Sequence, residues 1–303
     1  MKKNLLPALL LLLLAACQTM TFDDSDDDGK GNNGTTAERL MHFHLSGLSM
    51  TSFEELTEAN KDDVANAASA RQNGTDHILF AIYDKEGNAV DTVTYQDKDD
   101  ASYGTFSRTL KYGTYTIIAL GWNGSQQCNI ERPDSIFFNE GWVPHTFLCR
   151  QNITVNGTYS DTRTLSMKRC VSRFVINFED KNRPQEISDF VVTFIGAGNA
   201  LNSETRLCPQ RRDFSRTVVS NIEPSKITSL TTYCFLPEES TSIDINVVAH
   251  DSQGEVVGER TFNEVPVKIN YSTNYSGTFF PFDSATGSVT FEVDFDGEFM
   301  GTF

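Results

Sequence analysis

The acidic run Asp24-Ser25-Asp26-Asp27-Asp28-Gly29 has the opening pattern of a calcium-binding loop. Such a loop takes oxygen ligands at positions 1, 3 and 5, a glycine at 6 and a bidentate glutamate at 12. Asp24, Asp26, Asp28 and Gly29 fill the first four places, but position 12 falls on Thr35, which cannot chelate. No amphipathic helix flanks the run, so it reads as a solvated acidic tether. In Met41-His42-Phe43-His44-Leu45, strand alternation puts both imidazoles on one face, as two metal ligands would be. No third ligand is near, and an exposed polar strand face is the favoured reading. No metal and no cofactor are expected.

Six cysteines are present. Cys128, Cys149, Cys170, Cys208 and Cys234 form no CxxC pair, which argues against zinc. An exported chain can form disulfides. Cys128 and Cys149 bracket one loop, where a bridge would contribute about 3 kcal/mol. Cys208 with Cys234 is the second candidate pair. The alternative is that all five are free, buried thiols. There is no GxSxG elbow and no HExxH, and Gly196-Ala197-Gly198 is a lone GxG with no helix after it. Without a catalytic constellation the chain does not read as an enzyme. Trp122 and Trp142 could stack on sugar rings, although packing in the core or in loops is the favoured role.

The elements that would position these residues begin with an export signal. Lys2 and Lys3 precede the apolar run Leu5 to Ala16, which is too short for a bilayer span but right for a secretory signal. The run ends in Leu14-Ala15-Ala16-Cys17, which resembles a bacterial lipobox. Residues 1–16 are then the signal peptide, and Cys17 carries the lipid that holds the protein on the outer membrane. Residues 17–38 form the acidic tether. Acids just after such a cysteine resemble the surface-export signal of lipoproteins in some anaerobic didermic bacteria, which places the protein on the outer face. Loss of residues 1–16 removes two lysines and no acid, making a formal charge of −16 still more negative. Nucleic acid is therefore excluded as a partner.

The remaining chain has room for two domains. It is rich in phenylalanine (22) and in threonine and serine, which suit a pleated surface. Ser52-Phe53-Glu54-Glu55 fits a helix capping box, followed over 57–76 by a long loop or short helix. Strands are expected at Ile78–Tyr83, with a glycine turn at 84–88 and a return over 89–95, then at 106–110, 114–120 and twice within 146–167. After them come 169–178, 190–195, 243–249 and a terminal alternating segment around Val289 to Phe295. This pattern predicts an all-β chain of two sandwiches, over 39–165 and 166–303.

Two stretches carry a family likeness. One is "ILFAIYDKEGNAVDTV" with "LKYGTYTIIALGWN"; the other is "VSRFVINF" with "VPVKINYSTNYSGTFF", in which Asn270, Thr273 and Gly277 stand in an N-x-x-T-x-x-x-G pattern. They resemble the fimbrillin superfamily, the FimA, FimB and Mfa-type subunits. The resemblance implies two transthyretin-like β-sandwich domains, export as a lipoprotein, and a place in surface fimbriae beside other fimbrial subunits. A host protein or glycan is the further partner. It also implies that in major subunits an arginine-specific protease removes the first strand, and that a neighbour's strand fills the groove. Arg71 and Arg39 are the candidate processing sites, with ordinary surface arginines as the favoured reading. The terminal "SVTFEVDFDGEFMGTF" suits a donated strand, and suits equally the last strand of its own sandwich, which in-chain pairing favours. An alternative function is an outer-membrane surface glycan-binding lipoprotein of a nutrient-uptake system.

Overall fold

The computed structural model describes residues 37–47, 74–180, 183–184, 186–219, 226–280, 290–294 and 298–302. The signal peptide, Cys17, most of the tether, the capping box at Ser52 and Arg71 lie outside the described residues.

The described residues are all-β. The first half holds β1 (Glu38–Ser46), β2 (His77–Asp84), β3 (Thr94–Asp97), β4 (Thr105–Lys111) and β5 (Gly113–Trp122). It continues with β6 (Cys128–Arg132), β7 (Ser135–Phe138), β8 (Thr146–Val155), β9 (Thr162–Ser166) and β10 (Lys168–Arg169). The second half holds β11 (Ser172–Phe178), β12 (Asp189–Ile195), β13 (Ala200–Leu201), β14 (Phe214–Val219) and β15 (Ser229–Cys234). Last come β16 (Ser240–His250), β17 (Val256–Lys268), β18 (Ser272–Gly277), β19 (Thr290–Asp294) and β20 (Glu298–Thr302).

In the first half, the sheet β4-β1-β9 lies over the sheet β10-β8-β5-β2-β3. In the second, β15-β11-β18-β20-β19 lies over β14-β12-β16-β17. A small sheet β13-β7-β6 takes one strand from the second half and two from the first.

Two kinds of hydrophobic pattern produce these layers. In β1, Met41, Phe43 and Leu45 are buried while the residues between them are partly exposed, as in a sheet with one core face. In β2 the apolar run is continuous because the strand is covered on both sides. Ile78, Phe80 and Ile82 join the core of the first sandwich; Leu79, Ala81 and Tyr83 join a second core that runs on into the second half. β5 divides in the same way, with Ile117 and Ala119 on one side and Ile118, Leu120 and Trp122 on the other. The second sandwich is filled largely by phenylalanine: Phe178, Phe190 and Phe279 pack with ring centroids 5.4 to 6.0 Å apart.

One detail goes beyond the sequence expectation and two differ from it. β4 and β5 are separated by Tyr112 alone, yet they belong to opposite sheets. The return from the 84–88 turn, where Gly87 has φ 84°, is a single bridge at Ala89, and true pairing resumes only at β3. The terminal alternating segment is a hairpin, β19 and β20, rather than one strand. Alternation reports which side of a strand is apolar; it carries no record of the neighbour or of where the chain reverses.

Candidate functional site

β1 occupies the middle of its sheet. It pairs antiparallel with β4 from Glu38↔Lys111 to His44↔Thr105, and parallel with β9 from His42↔Thr162 to Ser46↔Ser166. Both of its edges are therefore hydrogen-bonded, and Phe43 is fully buried against Phe106 at 5.8 Å between centroids. Burying Met41, Phe43 and Leu45 is worth about 2 kcal/mol each. At its end the chain turns at Gly47, with φ 77°, where an added Cβ would lie 2.7 Å from the Met167 carbonyl oxygen. Any side chain there would push β1 out of register. His42 and His44 do share a face, but a hydrogen bond of 2.8 Å joins His42 Nδ1 to Ser107 Oγ. Among the described residues no group of three or more His, Cys, Asp or Glu could hold a metal.

Arg39 is the second residue of β1. It lies within β1 opposite Leu110, and its Nη1 donates to the Asn156 carbonyl oxygen at 2.7 Å. There β1 is paired with β4 alone, since β9 joins it only from His42 onward. At the other end of the chain, β20 pairs parallel with β18 from Ser272↔Glu298 to Ser276↔Thr302, and β19 forms the outer edge. The terminal segment thus lies in the sheet of its own half.

Neither candidate disulfide is formed: Cys128, Cys149, Cys170, Cys208 and Cys234 are all free and buried. Cys128 and Cys149 belong to different cores. Cys208 is level with Leu236, to whose carbonyl its amide donates at 2.7 Å, whereas Cys234 pairs across to Ser172. Burial pushes all five thiols up, so they are protonated and behave as small apolar groups. The tryptophans form no platform either. Trp122 is 2% exposed, and its Nε1 donates to the Gln126 carbonyl oxygen. Trp142 is half-buried, with the Arg216 guanidinium 4.0 Å from its ring centroid and its Nε1 bonded to Glu140. The alternative glycan-binding reading loses its stacking surface.

One constellation escaped the sequence reading. The buried Arg169 side chain donates through Nε to His145 Nε2 at 2.8 Å and through Nη1 to Asn270 Oδ1 at 2.6 Å. Its guanidinium also lies 5.2 Å from the Phe147 ring centroid, and His145 stacks on Tyr233. Burial, and then the charges of Arg169 and Arg173, hold His145 down to about 3, so its imidazole is neutral and accepts from Arg169. These residues tie β8 and β10 to β15 and to the turn before β18, where Asn270 has φ 66°. The other two motif positions are structural as well: Thr273 Oγ1 donates to the Pro266 carbonyl, and Gly277 ends the pairing of β18 with β11.

A family model described as "Family of unknown function (DUF6562)" matches residues 145–302. The chain belongs to that family. The DUF6562 match opens on His145 and so takes in the whole Arg169 constellation and the second sandwich, together with β8, β9 and β10 of the first. No curated protein matches the chain. Solved structures with a similar build include a proposed adhesin from Bacteroides ovatus, at 9% identity and TM-score 0.48, covering 75% of this chain and 76% of that one. A proposed polysaccharide-binding protein from Bacteroides thetaiotaomicron matches at 11% identity and TM-score 0.47, covering 73% and 79%. The fimbrial anchor protein Mfa2 from Porphyromonas gingivalis matches at 11% identity and TM-score 0.42, covering 74% and 82%.

Proposed function

We propose that this DUF6562 chain is a structural and adhesive subunit of a bacterial surface fimbria. Lipid on Cys17 anchors it to the outer membrane at least as a precursor, and strand donation joins it to neighbouring subunits. The observation that carries this reading is the placement of β1. It comes from the chain's N-terminal end, yet it is the middle strand of its sheet, and it alone bridges β4 and β9. Removing it would leave a lane lined on both sides by unpaired backbone and floored by the apolar face that now holds Phe43. A strand from a neighbour with alternating apolar residues would restore the same hydrogen bonds. The fimbrillin-like motifs and the lipobox support the same assignment. Arg71, in the segment between β1 and β2, is the processing position that would free the strand; Arg39 would cut through it.

Unboiled detergent gels of the cell-surface fraction test the reading. A ladder of subunit multiples is expected, and a single monomer band in cells that display the protein would overturn it. Mass spectrometry of the N-terminus then assigns the type of subunit. A chain beginning at lipidated Cys17 is an anchor that keeps β1, and a chain beginning after Arg71 has vacated the lane.

A further inference from the structure

A second site lies on the flank of β8, where Ser166 at the end of β9 reaches it. β10 covers β8 only at Phe147 and Leu148, so from Cys149 onward that side of β8 has no strand beside it in its sheet. The loop after β13 rises opposite, and a cleft of about 330 Å³ opens between them. It is lined by Arg150, Lys168 and Arg206, with Glu204 as the one carboxylate among the described lining residues. Three cations against one acid stand out on a chain whose formal charge is −16.

The cleft is built rather than incidental. Ser203 is buried and anchors the loop to the Pro133 carbonyl through both its amide and its hydroxyl. The Asn202 side chain accepts from the amides of Glu204 and Thr205, and the Asn202 carbonyl accepts from the Arg206 amide at 2.9 Å. This winding holds Arg206 in the left-handed region, with φ 60°, a conformation uncommon for arginine. Arg150 reaches Ser203 Oγ at 3.4 Å and Glu204 at 3.5 Å. Among the described residues Lys168 and Arg206 make no ion pair. Neutral hydrogen-bonding groups stand beside the cations: Asn152, whose carboxamide oxygen accepts from Thr116 and whose NH2 is left to donate, and Ser166.

We propose that this cleft binds the carboxylate of an acidic sugar, with Lys168 and Arg206 on the carboxylate and the Asn152 and Ser166 side chains on ring hydroxyls. Two cations lining one cleft recognise a carboxylate through charge-assisted hydrogen bonds. The amide and hydroxyl groups match a polyhydroxylated ring better than a bare ion. The volume lies at the lower end of the range for small-molecule sites, about 300 Å³ and above, which suits one or two sugar rings. The inference stands on the cleft alone and does not depend on strand donation, so gel laddering and sugar binding can fail separately.

The test is calorimetric titration of the full chain with a hyaluronan tetrasaccharide, which carries glucuronate, with maltotetraose and inorganic phosphate as comparison probes. Saturable binding of the uronate is expected, weakened by added salt. Lys168→Ala and Arg206→Asn should each weaken it at least about tenfold. Asparagine is chosen because it tolerates the left-handed backbone. Lys85→Ala, in the exposed 84–88 turn, should leave it unchanged, and circular dichroism should show every variant folded. Absence of saturable binding at about 1 mM overturns the proposal. So does equal binding of maltotetraose, equal binding of phosphate, or full affinity in the folded Lys168→Ala and Arg206→Asn variants.

Discussion

The two sandwiches treat the chain's ends in opposite ways. The first places its N-terminal strand, β1, in the middle of a sheet with partners on both edges. The second places the C-terminal hairpin at the rim, where β20 has β18 on one side and β19 on the other, and β19 ends the sheet. Loss of the first strand splits a sheet and uncovers a core. Loss of the hairpin shortens a sheet and uncovers one edge. The difference teaches that position in the sheet, not position in the chain, decides whether loss of a terminal segment splits a sheet or shortens it.

The comparison can be broken at its strongest point with Phe43→Ala. Phe43 is fully buried in mid-sheet, so the change should cost about 3–5 kcal/mol in denaturant unfolding. A loss near zero would show that β1 is dispensable to the first sandwich. Hydrogen exchange sharpens the contrast without mutation. Amides of β1 should exchange only through large openings, and those of the edge strand β19 at least about a hundredfold faster. Equal protection would erase the distinction between middle and rim.

The junction between the halves gives a pH test. The folded-state value of His145 is depressed to about 3, below its ordinary 6.5, so the unfolded chain binds the proton more readily. Stability is therefore unaffected by this group above about pH 6.5 and falls as pH drops from there towards 3. The loss is about 1.4 kcal/mol per pH unit, or roughly 2 kcal/mol by pH 5. Denaturant midpoints at pH 7 and pH 5 measure it, and His145→Gln should flatten that dependence. The smallest effect belongs to the surface of the same junction. Arg216→Ala removes the cation over Trp142 and should cost about 1 kcal/mol, with Trp142 fluorescence shifting as its ring is uncovered. An unchanged spectrum would show that the stacking does not hold the ring.

Much of the fold was legible in the sequence, and for a local reason. Met41, Phe43 and Leu45 alternate because β1 has one core face; Phe174, Ile176 and Phe178 alternate for the same reason in β11. The unbroken run Ile78 to Tyr83 marked a buried strand, although not that its two faces serve two cores. The sites were less legible. Trp122 and Trp142 have the right chemistry for a sugar platform, but one is enclosed and the other is covered by an arginine 74 positions along the chain. Arg150, Lys168 and Arg206 are scattered in sequence and meet only because the β13 loop folds against β8. Arg169 reads as one basic residue among several; its burial follows from β8, β15 and the turn before β18 closing around it.

What the sequence determined by itself was the β character and the apolar faces of the strands. Period-two alternation acts on the chain residue by residue, and each strand's pattern is complete within about a dozen positions. What only the tertiary structure decided was which strands are neighbours: β1 beside β9 rather than beside β2, β4 and β5 in opposite sheets, and the last segment folded back as a hairpin. A strand's hydrogen-bonding edges are the same backbone whatever the side chains. The partner is therefore chosen by the packing of whole sheets, and with it the place of β1, the neutral His145 and the basic cleft.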